Sequence, residues 1–109
     1  MLSLEGAFST CDWSAVPIEI HPGQHGEAQW KTQQYGSVRV REVRYTPGYV
    51  ADHWCRKGHV LLVLDGSMVT ELEDGREVKL SKGSSYVVPD DVMAHRSRTQ
   101  TGVLLFIVD

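Results

Sequence analysis

The sequence predicts an all-β protein, either a sandwich or a closed barrel, and three observations support this prediction. Short segments rich in β-branched and aromatic residues follow one another from residue 37 onward, at roughly the 8- to 12-residue spacing typical of small β-folds. Glycine, proline and aspartate separate them, as at Pro47-Gly48 and Asp74-Gly75, and these residues favour turns. No window shows the apolar period of a long amphipathic helix.

The first third of the chain carries the weakest signals. Within residues 1–35 one short strand is predicted at 18–21, ended by Pro22-Gly23. The 109 residues contain neither an internal repeat nor a low-complexity tract, and their number suits a single domain. We therefore predict an N-terminal extension, residues 1–35, that packs on the barrel or on a dimer interface, and a barrel formed by residues 36–109.

The other strands are predicted from β-branched and aromatic segments that end at turn residues. Asp74-Gly75 predicts a hairpin with a two-residue type I′ loop, and Asp65-Gly66 predicts a turn between two further strands. The predicted strands are 37–45, 49–55, 59–64, 67–73, 76–81, 84–88 and 102–109.

Two apolar segments, 60–64 and 103–108, lack the alternation expected of a half-exposed strand. An antiparallel strand with one face in water alternates apolar and polar residues, so the second face of both segments is expected to be covered. Either the N-terminal segment of the chain or a second copy of the chain can cover it. This pattern favours a homodimer.

The composition argues against several classes of function. The 11 basic and 14 acidic residues give a net charge of −3, whereas nucleic-acid binding requires a clustered basic excess. No apolar run reaches the roughly 18 residues of a membrane span, and the N-terminus does not resemble a signal peptide. Cys11 and Cys55 are too few for a disulfide framework. We therefore expect a cytoplasmic protein that binds a small-molecule ligand or substrate, and neither nucleic acid nor membrane.

The residues suited to metal chemistry cluster in the stretch "DHWCRKGH", residues 52–59. On a strand, His53 and Cys55 point to the same face, the short connection after Cys55 brings His59 beside them, and His95 can join from another strand. Imidazole and thiolate suit zinc, iron, copper or nickel better than calcium or magnesium. Taken singly, each residue is equally well explained as a structural histidine or a small buried thiol. Composition and spacing leave both interpretations open.

The spacing of these residues resembles the two motifs of the cupin family. The first motif is a glycine, five residues, His-x-His, three or four residues, a glutamate, six residues and a glycine. The second is a glycine, five residues, a proline and a later histidine. The first match has four residues instead of five after its glycine, and the second has one additional residue before its histidine. The matching positions are Gly48, His53, Cys55, His59 and Gly66, then Gly83, Pro89 and His95.

The resemblance covers residues 45–109 and extends to a subgroup of small single-domain cupins with a DHCW motif. Residues 52–55 carry the same four residue types with the last two exchanged. The family implies a jelly-roll β-barrel, also called a double-stranded β-helix, with a divalent metal ion inside it and frequent dimerisation.

The implied ligand set departs from the three histidines and one glutamate usual in the family. Cys55 stands in place of the second histidine and His59 in place of the glutamate. The implied ligands are therefore His53, Cys55, His59 and His95, a softer set that favours a divalent transition metal such as zinc, iron, copper or nickel over manganese. Cys55 is either a ligand or a reactive thiol beside the metal.

Two functions of different classes remain open. In the first, the protein is a small metalloenzyme, similar to an oxygenase or an isomerase, whose open metal position activates dioxygen or polarises a carbonyl; Asp52 and Tyr86 are unspecific candidates for a general base. In the second, the barrel is a non-catalytic ligand-binding or sensing module, with or without a structural metal. A closed four-ligand site favours this second function. Arg39 or Arg41, if turned into the barrel, would favour an anionic ligand such as a carboxylate.

Overall fold

The computed structural model describes residues 2–109, which form eight strands and one short 3-10 turn at Trp13–Ala15. All strand pairs are antiparallel, so the predicted all-β fold is confirmed. Within these residues no helix has the length and apolar character that crossing a membrane requires. The strands are β1 (Glu19–Pro22), β2 (Glu27–Tyr35), β3 (Val38–Tyr45), β4 (His59–Leu72), β5 (Glu77–Ser81), β6 (Ser85–Val88), β7 (His95–Arg98) and β8 (Val103–Val108).

The long strand β4 joins the two halves of the barrel. The sheet order is β1-β2-β3-β8-β4-β5, and β6 and β7 also pair with β4. The first part of β4 pairs with β6 and β8, and the second part pairs with β5 and β7. A β-bulge between Val63 and Asp65 lies at the changeover. Because a bulge bends a strand and increases its twist, β4 can contribute to both halves.

The predicted turn at Asp65-Gly66 is wrong, since both residues lie inside β4. Gly66 has a φ of 80°, which glycine adopts at little cost. A side chain at this position would collide with the backbone carbonyl of Gly102. The glycine therefore marks a close approach of two strands at the bulge and not the end of a strand.

The hairpin at Asp74-Gly75 is confirmed, but its loop is not of type I′. The backbone N–H of Leu72 donates to the carbonyl of Arg76, which leaves three residues in the loop. Gly75 has a φ of 95°, while Asp74 has no positive φ, and a type I′ loop needs a positive φ at both central residues. The geometry is that of a three-residue loop with glycine in the left-handed position.

Strand β2 was not predicted, because its polar side chains hide the alternation expected of a strand. It pairs with β3 from Ala28 opposite Tyr45 to Tyr35 opposite Val38, so tertiary pairing keeps this segment extended despite its weak β-propensity. Trp30 lies at the centre of β2 and faces Val43 of β3. The sheet thus begins within the residues that the sequence assigns to an extension.

Residues 49–55 do not form the predicted strand. Only isolated bridges hold them, at Val50 and Cys55, and the chain bends at Asp52 and His53. Conversely, His95 does not merely follow a strand; it is the first residue of β7. Both differences concern segments that carry candidate metal ligands.

The core lies between β3, β4 and β8. Leu105 pairs with Val43 on one side and Val63 on the other, and all three are almost completely enclosed. On the outer face, Val60 is 49% exposed, and the rings of Trp13 and Phe106 meet edge to face with 6.2 Å between their centroids. The N-terminal segment therefore covers part of β8, while the outer face of β4 stays open in the single chain.

Candidate ligand and metal site in the barrel

A cavity of about 430 Å³ opens into the barrel. Two groups of polar side chains line it. We call them the histidine wall, which consists of Cys55, His59 and His95, and the arginine wall, which consists of Arg39, Arg41 and Asp109. Trp30, Tyr86, Leu61 and Ile107 contribute flatter or apolar surface to the same cavity.

The histidine wall is formed where β4 and β7 begin. The rings of His59 and His95 meet edge to face, with 4.9 Å between their centroids. His95 Nδ1 lies 2.9 Å from the carbonyl oxygen of Met93, and since a carbonyl only accepts, Nδ1 carries the proton. His95 Nε2 therefore keeps its lone pair in the neutral ring. Among residues 2–109, His95 Nε2 and His59 Nδ1 are buried and have no hydrogen-bond partner.

Cys55 reaches this wall through its backbone. Its N–H and carbonyl pair with those of His95 at 2.8 and 2.9 Å, which puts the thiol beside the ring. The His95 ring lowers the pKa of the Cys55 thiol against the opposing effect of burial, and the thiol in turn raises the pKa of His95. The Cys55 thiol and the His95 ring do not meet strict hydrogen-bond geometry, and Nε2 of His95 is therefore left without a partner. We therefore regard the two as a neighbouring acid and base.

His53 stands apart from the other three predicted ligands. Its side chain is 75% exposed at the rim, and Nδ1 lies 2.6 Å from a carboxylate oxygen of Asp52. His53 and Cys55 both line the cavity, but the chain bends at residues 52–53, so they do not lie on the regular strand that was predicted to align them. In the described part of the chain no three His, Cys, Asp or Glu side chains form a preassembled metal site.

The arginine wall is built on β3 and the residue that follows β8. Arg39 donates from Nε and Nη2 to the two carboxylate oxygens of Asp109 at 2.9 and 3.1 Å, and Arg41 Nη2 donates to the same group at 2.9 Å. Burial disfavours ionisation of Asp109, but the two arginines outweigh it and hold the pKa of its carboxyl below the ordinary value. The guanidinium carbon of Arg41 lies 4.2 Å from the centroid of the Trp30 ring, within cation–π range.

The sequence identified both arginines only as conditional anion ligands, and the structure turns both into the cavity. The sequence did not identify Trp30 and Asp109 as residues of the site. Trp30 belongs to the unpredicted strand β2, and the partnership of Asp109 with Arg39 spans 70 positions in the sequence. No local pattern signals a pairing of that range.

Burial makes His59 a source of pH-dependent stability. Desolvation and the nearby His95 lower the pKa of His59 from 6.5 to about 4. The Asp109 carboxylate raises this pKa, and Arg41 and Arg39 lower it further. The Tyr86 hydroxyl lies at hydrogen-bond distance, 2.9 Å, from Nε2 of the ring. Between pH 6.5 and 4 the unfolded chain therefore binds a proton at His59 that the folded chain does not. Stability contributed by neutral His59 is present above pH 6.5 and is lost as pH falls toward 4.

We expect the free energy of unfolding of the metal-free protein to fall by on the order of 3 kcal/mol through this group between pH 6.5 and 4. Urea unfolding at a series of pH values measures it, and His59→Gln should flatten the curve. His25→Gln, at an exposed histidine outside the cavity, should keep the wild-type pH dependence. Equal slopes for wild type and His59→Gln would show that His59 does not carry the effect.

Comparison with known proteins identifies the fold. Neither family models nor curated proteins match the sequence. Among solved structures, a protein described as a predicted oxalate decarboxylase from Thermotoga maritima is 15% identical, with 92% of this chain and 96% of that chain covered and a TM-score of 0.78. A sugar phosphate isomerase from a cupin superfamily, from Silicibacter pomeroyi, is 16% identical, with 92% and 74% covered and a TM-score of 0.71.

The cupin domain of Schizosaccharomyces pombe Cnp3 is 12% identical, with 89% of this chain and 65% of that chain covered and a TM-score of 0.68. At such identities the likeness establishes the fold alone. The chain has a cupin-type jelly-roll β-barrel, as its motifs predicted. Membership of the DHCW subgroup stays a prediction.

Proposed function

We propose that this protein is a metal-binding cupin whose barrel holds one divalent transition metal ion through His53, His59 and His95, with Cys55 either as a fourth ligand or as a reactive thiol beside the metal. The observation that carries the proposal is the pair of buried, unpartnered nitrogens, His59 Nδ1 and His95 Nε2, in one cavity. Buried polar atoms in native proteins are normally satisfied, and a metal ion would supply the missing partner.

The donor chemistry at this site fits a transition metal. Imidazole and thiolate favour zinc, iron(II), copper or nickel, and the lowered pKa of the Cys55 thiol favours the thiolate form that binds metals. The carbonyl of Met93 orients the His95 ring, as hydrogen bonds behind metal-binding histidines generally do. His53 would have to leave Asp52 and turn inward, a rotation that its exposed position allows.

The leading function is a small metalloenzyme of the oxygenase or isomerase kind. The bound ion would act as a Lewis acid or redox centre toward a small-molecule substrate. Burial holds the pKa of the Tyr86 phenol well above its ordinary value, so Tyr86 would donate a proton rather than accept one. Asp52 at the rim carries a carboxylate that can accept a proton, and if His53 turned to the metal, the hydrogen bond that lowers the pKa of Asp52 would be released, so Asp52 is the better candidate for a general base.

Metal content tests the proposal. Protein purified without a metal-affinity column should contain about one equivalent of zinc, iron, copper or nickel by plasma mass spectrometry, either directly or after reconstitution. Protein that stays free of all four metals after reconstitution would refute metal binding. Reconstitution with each metal in turn would also show which one the site prefers.

A non-catalytic ligand-binding or sensing module is the second candidate function. It is favoured by the lack of a preassembled three-ligand group among residues 2–109 beside a cavity that is already formed. Cys55→Ser discriminates between the candidates: unchanged metal affinity places Cys55 outside the coordination sphere and leaves an open position for a substrate. A strong loss of affinity indicates a closed, structural site.

The outer face of β4 supports a homodimer. Val60 and Val87 face each other across β4 and β6 and are 49% and 70% exposed, and an exposed apolar patch of this kind marks an interaction surface. We expect wild-type protein to be a dimer by light scattering and Val60→Lys to be a monomer. Ile20→Lys, at an isoleucine of similar exposure on β1 at the far edge of the sheet, should remain dimeric. A monomeric wild type would contradict the proposal.

The same proposal places the protein in the cytoplasm. Cys11 and Cys55 are both free thiols, which suits a reducing compartment. A small molecule remains the expected partner, because the volume of the cavity lies within the size range of small-molecule pockets.

A further inference from the structure

We infer that the arginine wall is a carboxylate-binding site, so that the ligand of this cavity is a small organic monoanion whose carboxylate lies against Arg39 and Arg41. This inference names the ligand class of the proposed function and rests on it for treating the cavity as the functional site. It requires no metal ion, which allows the two to be tested separately.

The cavity reverses the charge balance of the chain. The protein carries a net charge of −3, yet the cavity is lined by four cationic side chains and two carboxylates, namely Arg39, Arg41, Lys57 and Arg96 against Asp52 and Asp109. Within the arginine wall two guanidinium groups share the single carboxylate of Asp109. The wall therefore has an excess of one positive charge, and a cleft with such an excess attracts anions.

Arg41 has N–H donors to spare. A guanidinium carries five N–H donors, and Asp109 accepts from Arg41 through one nitrogen, Nη2. The Arg41 side chain is only 6% exposed, and its Nε has no hydrogen-bond partner among residues 2–109. Because a buried guanidinium N–H without a partner is costly, an incoming anion would satisfy a group that the protein leaves unmatched.

Charge and shape favour a carboxylate over other anions. The excess of one positive charge within the arginine wall matches a monoanion better than a doubly charged phosphate, since Arg96 elsewhere in the cavity is already paired with Glu71. Planar guanidinium groups also bind planar carboxylates in a bidentate manner. Beside the arginines the cavity presents Trp30, Leu61 and Ile107. The remainder of the ligand is therefore uncharged and partly apolar.

Calorimetric titration of the metal-free protein tests this inference. The probes are benzoate and isobutyrate, the neutral amides of the same shape, benzamide and isobutyramide, and inorganic phosphate. At least one carboxylate should bind about tenfold or more tightly than its amide and more tightly than phosphate. Arg41→Gln should weaken carboxylate binding by about tenfold or more, whereas Arg44→Gln, at the exposed arginine of the same strand, should leave it unchanged.

Several results would overturn the inference: equal affinity for acid and amide, tighter binding of phosphate, or binding of neither carboxylate. If circular dichroism shows that Arg41→Gln is unfolded, Arg39→Gln, at the more exposed arginine, replaces it as the test variant. Unchanged carboxylate affinity in a folded arginine variant refutes the site.

The His95→Ala variant separates the two proposals. Carboxylate binding in a protein that holds no metal upholds this inference alone, and metal binding without carboxylate selectivity upholds the proposed function alone.

Discussion

His95→Ala is expected to lower metal affinity by at least about a hundredfold, which would leave the purified protein essentially metal-free. His95 is the best-prepared ligand, because the carbonyl of Met93 fixes its tautomer and its Nε2 is buried without a partner. Alanine removes the nitrogen while β7 and its backbone pairing with Cys55 can persist. Metal content by plasma mass spectrometry and a competition titration with a chelator measure the change.

His25→Ala is the matched control, since this exposed histidine lies outside the cavity and should bind a full equivalent of metal. His53→Ala is the informative third variant. If His53 turns inward to complete the site, its loss should also reduce affinity; wild-type affinity would leave His59, His95 and Cys55 as the protein ligands. Equal metal content in His95→Ala and wild type would show that any metal binds elsewhere.

Leu105→Ala is expected to lower the free energy of unfolding by about 2–5 kcal/mol. Leu105 is 0% exposed and lies between Val43 and Val63, so its removal opens a cavity between three central strands. Because β8 is held by backbone ladders to β3 on one side and β4 on the other, the strands cannot easily move to fill the gap. Urea unfolding followed by circular dichroism measures the difference.

Leu104→Ala is the control for this substitution. Leu104 is the preceding residue on β8 but points to the opposite face, where it is half-buried between Arg44 and Asp65. Leu104→Ala should lower the free energy of unfolding by less than half as much as Leu105→Ala, because the half-buried Leu104 side chain buries less apolar surface on folding than Leu105 does. Equal destabilisation by the two variants would contradict the assignment of the inner face of β8 to the core.

Ligand binding should be linked to the stability that the core provides. A carboxylate or a metal ion that binds only the folded chain raises its free energy of unfolding by mass action. The two walls of the cavity approach each other at His59, whose Nδ1 lies 3.8 Å from an Asp109 carboxylate oxygen. His59 is therefore the residue through which metal and anion would influence each other.

The sequence by itself determined the class of fold and the neighbourhood of the site. Strands that alternate or are strongly β-branched, such as β3 and β5, and the hairpin at Asp74-Gly75 follow from local preferences that the tertiary structure does not override. The two glycine- and histidine-containing motifs predicted the cupin-type barrel, which the structure confirms. The sequence also predicted that His53, Cys55, His59 and His95 would be near one another, and all four line one cavity, with His53 at its rim.

Only the tertiary structure decided which side chains point into that cavity. His53 lies on a bend instead of a strand, so the alternation rule that placed it beside Cys55 does not apply. Strand β2, which supplies Trp30, is extended because it pairs with β1 and β3 and not because of its composition. The arginine wall depends on Asp109, 68 residues from Arg41, and such a contact arises from sheet order, which local sequence patterns do not encode.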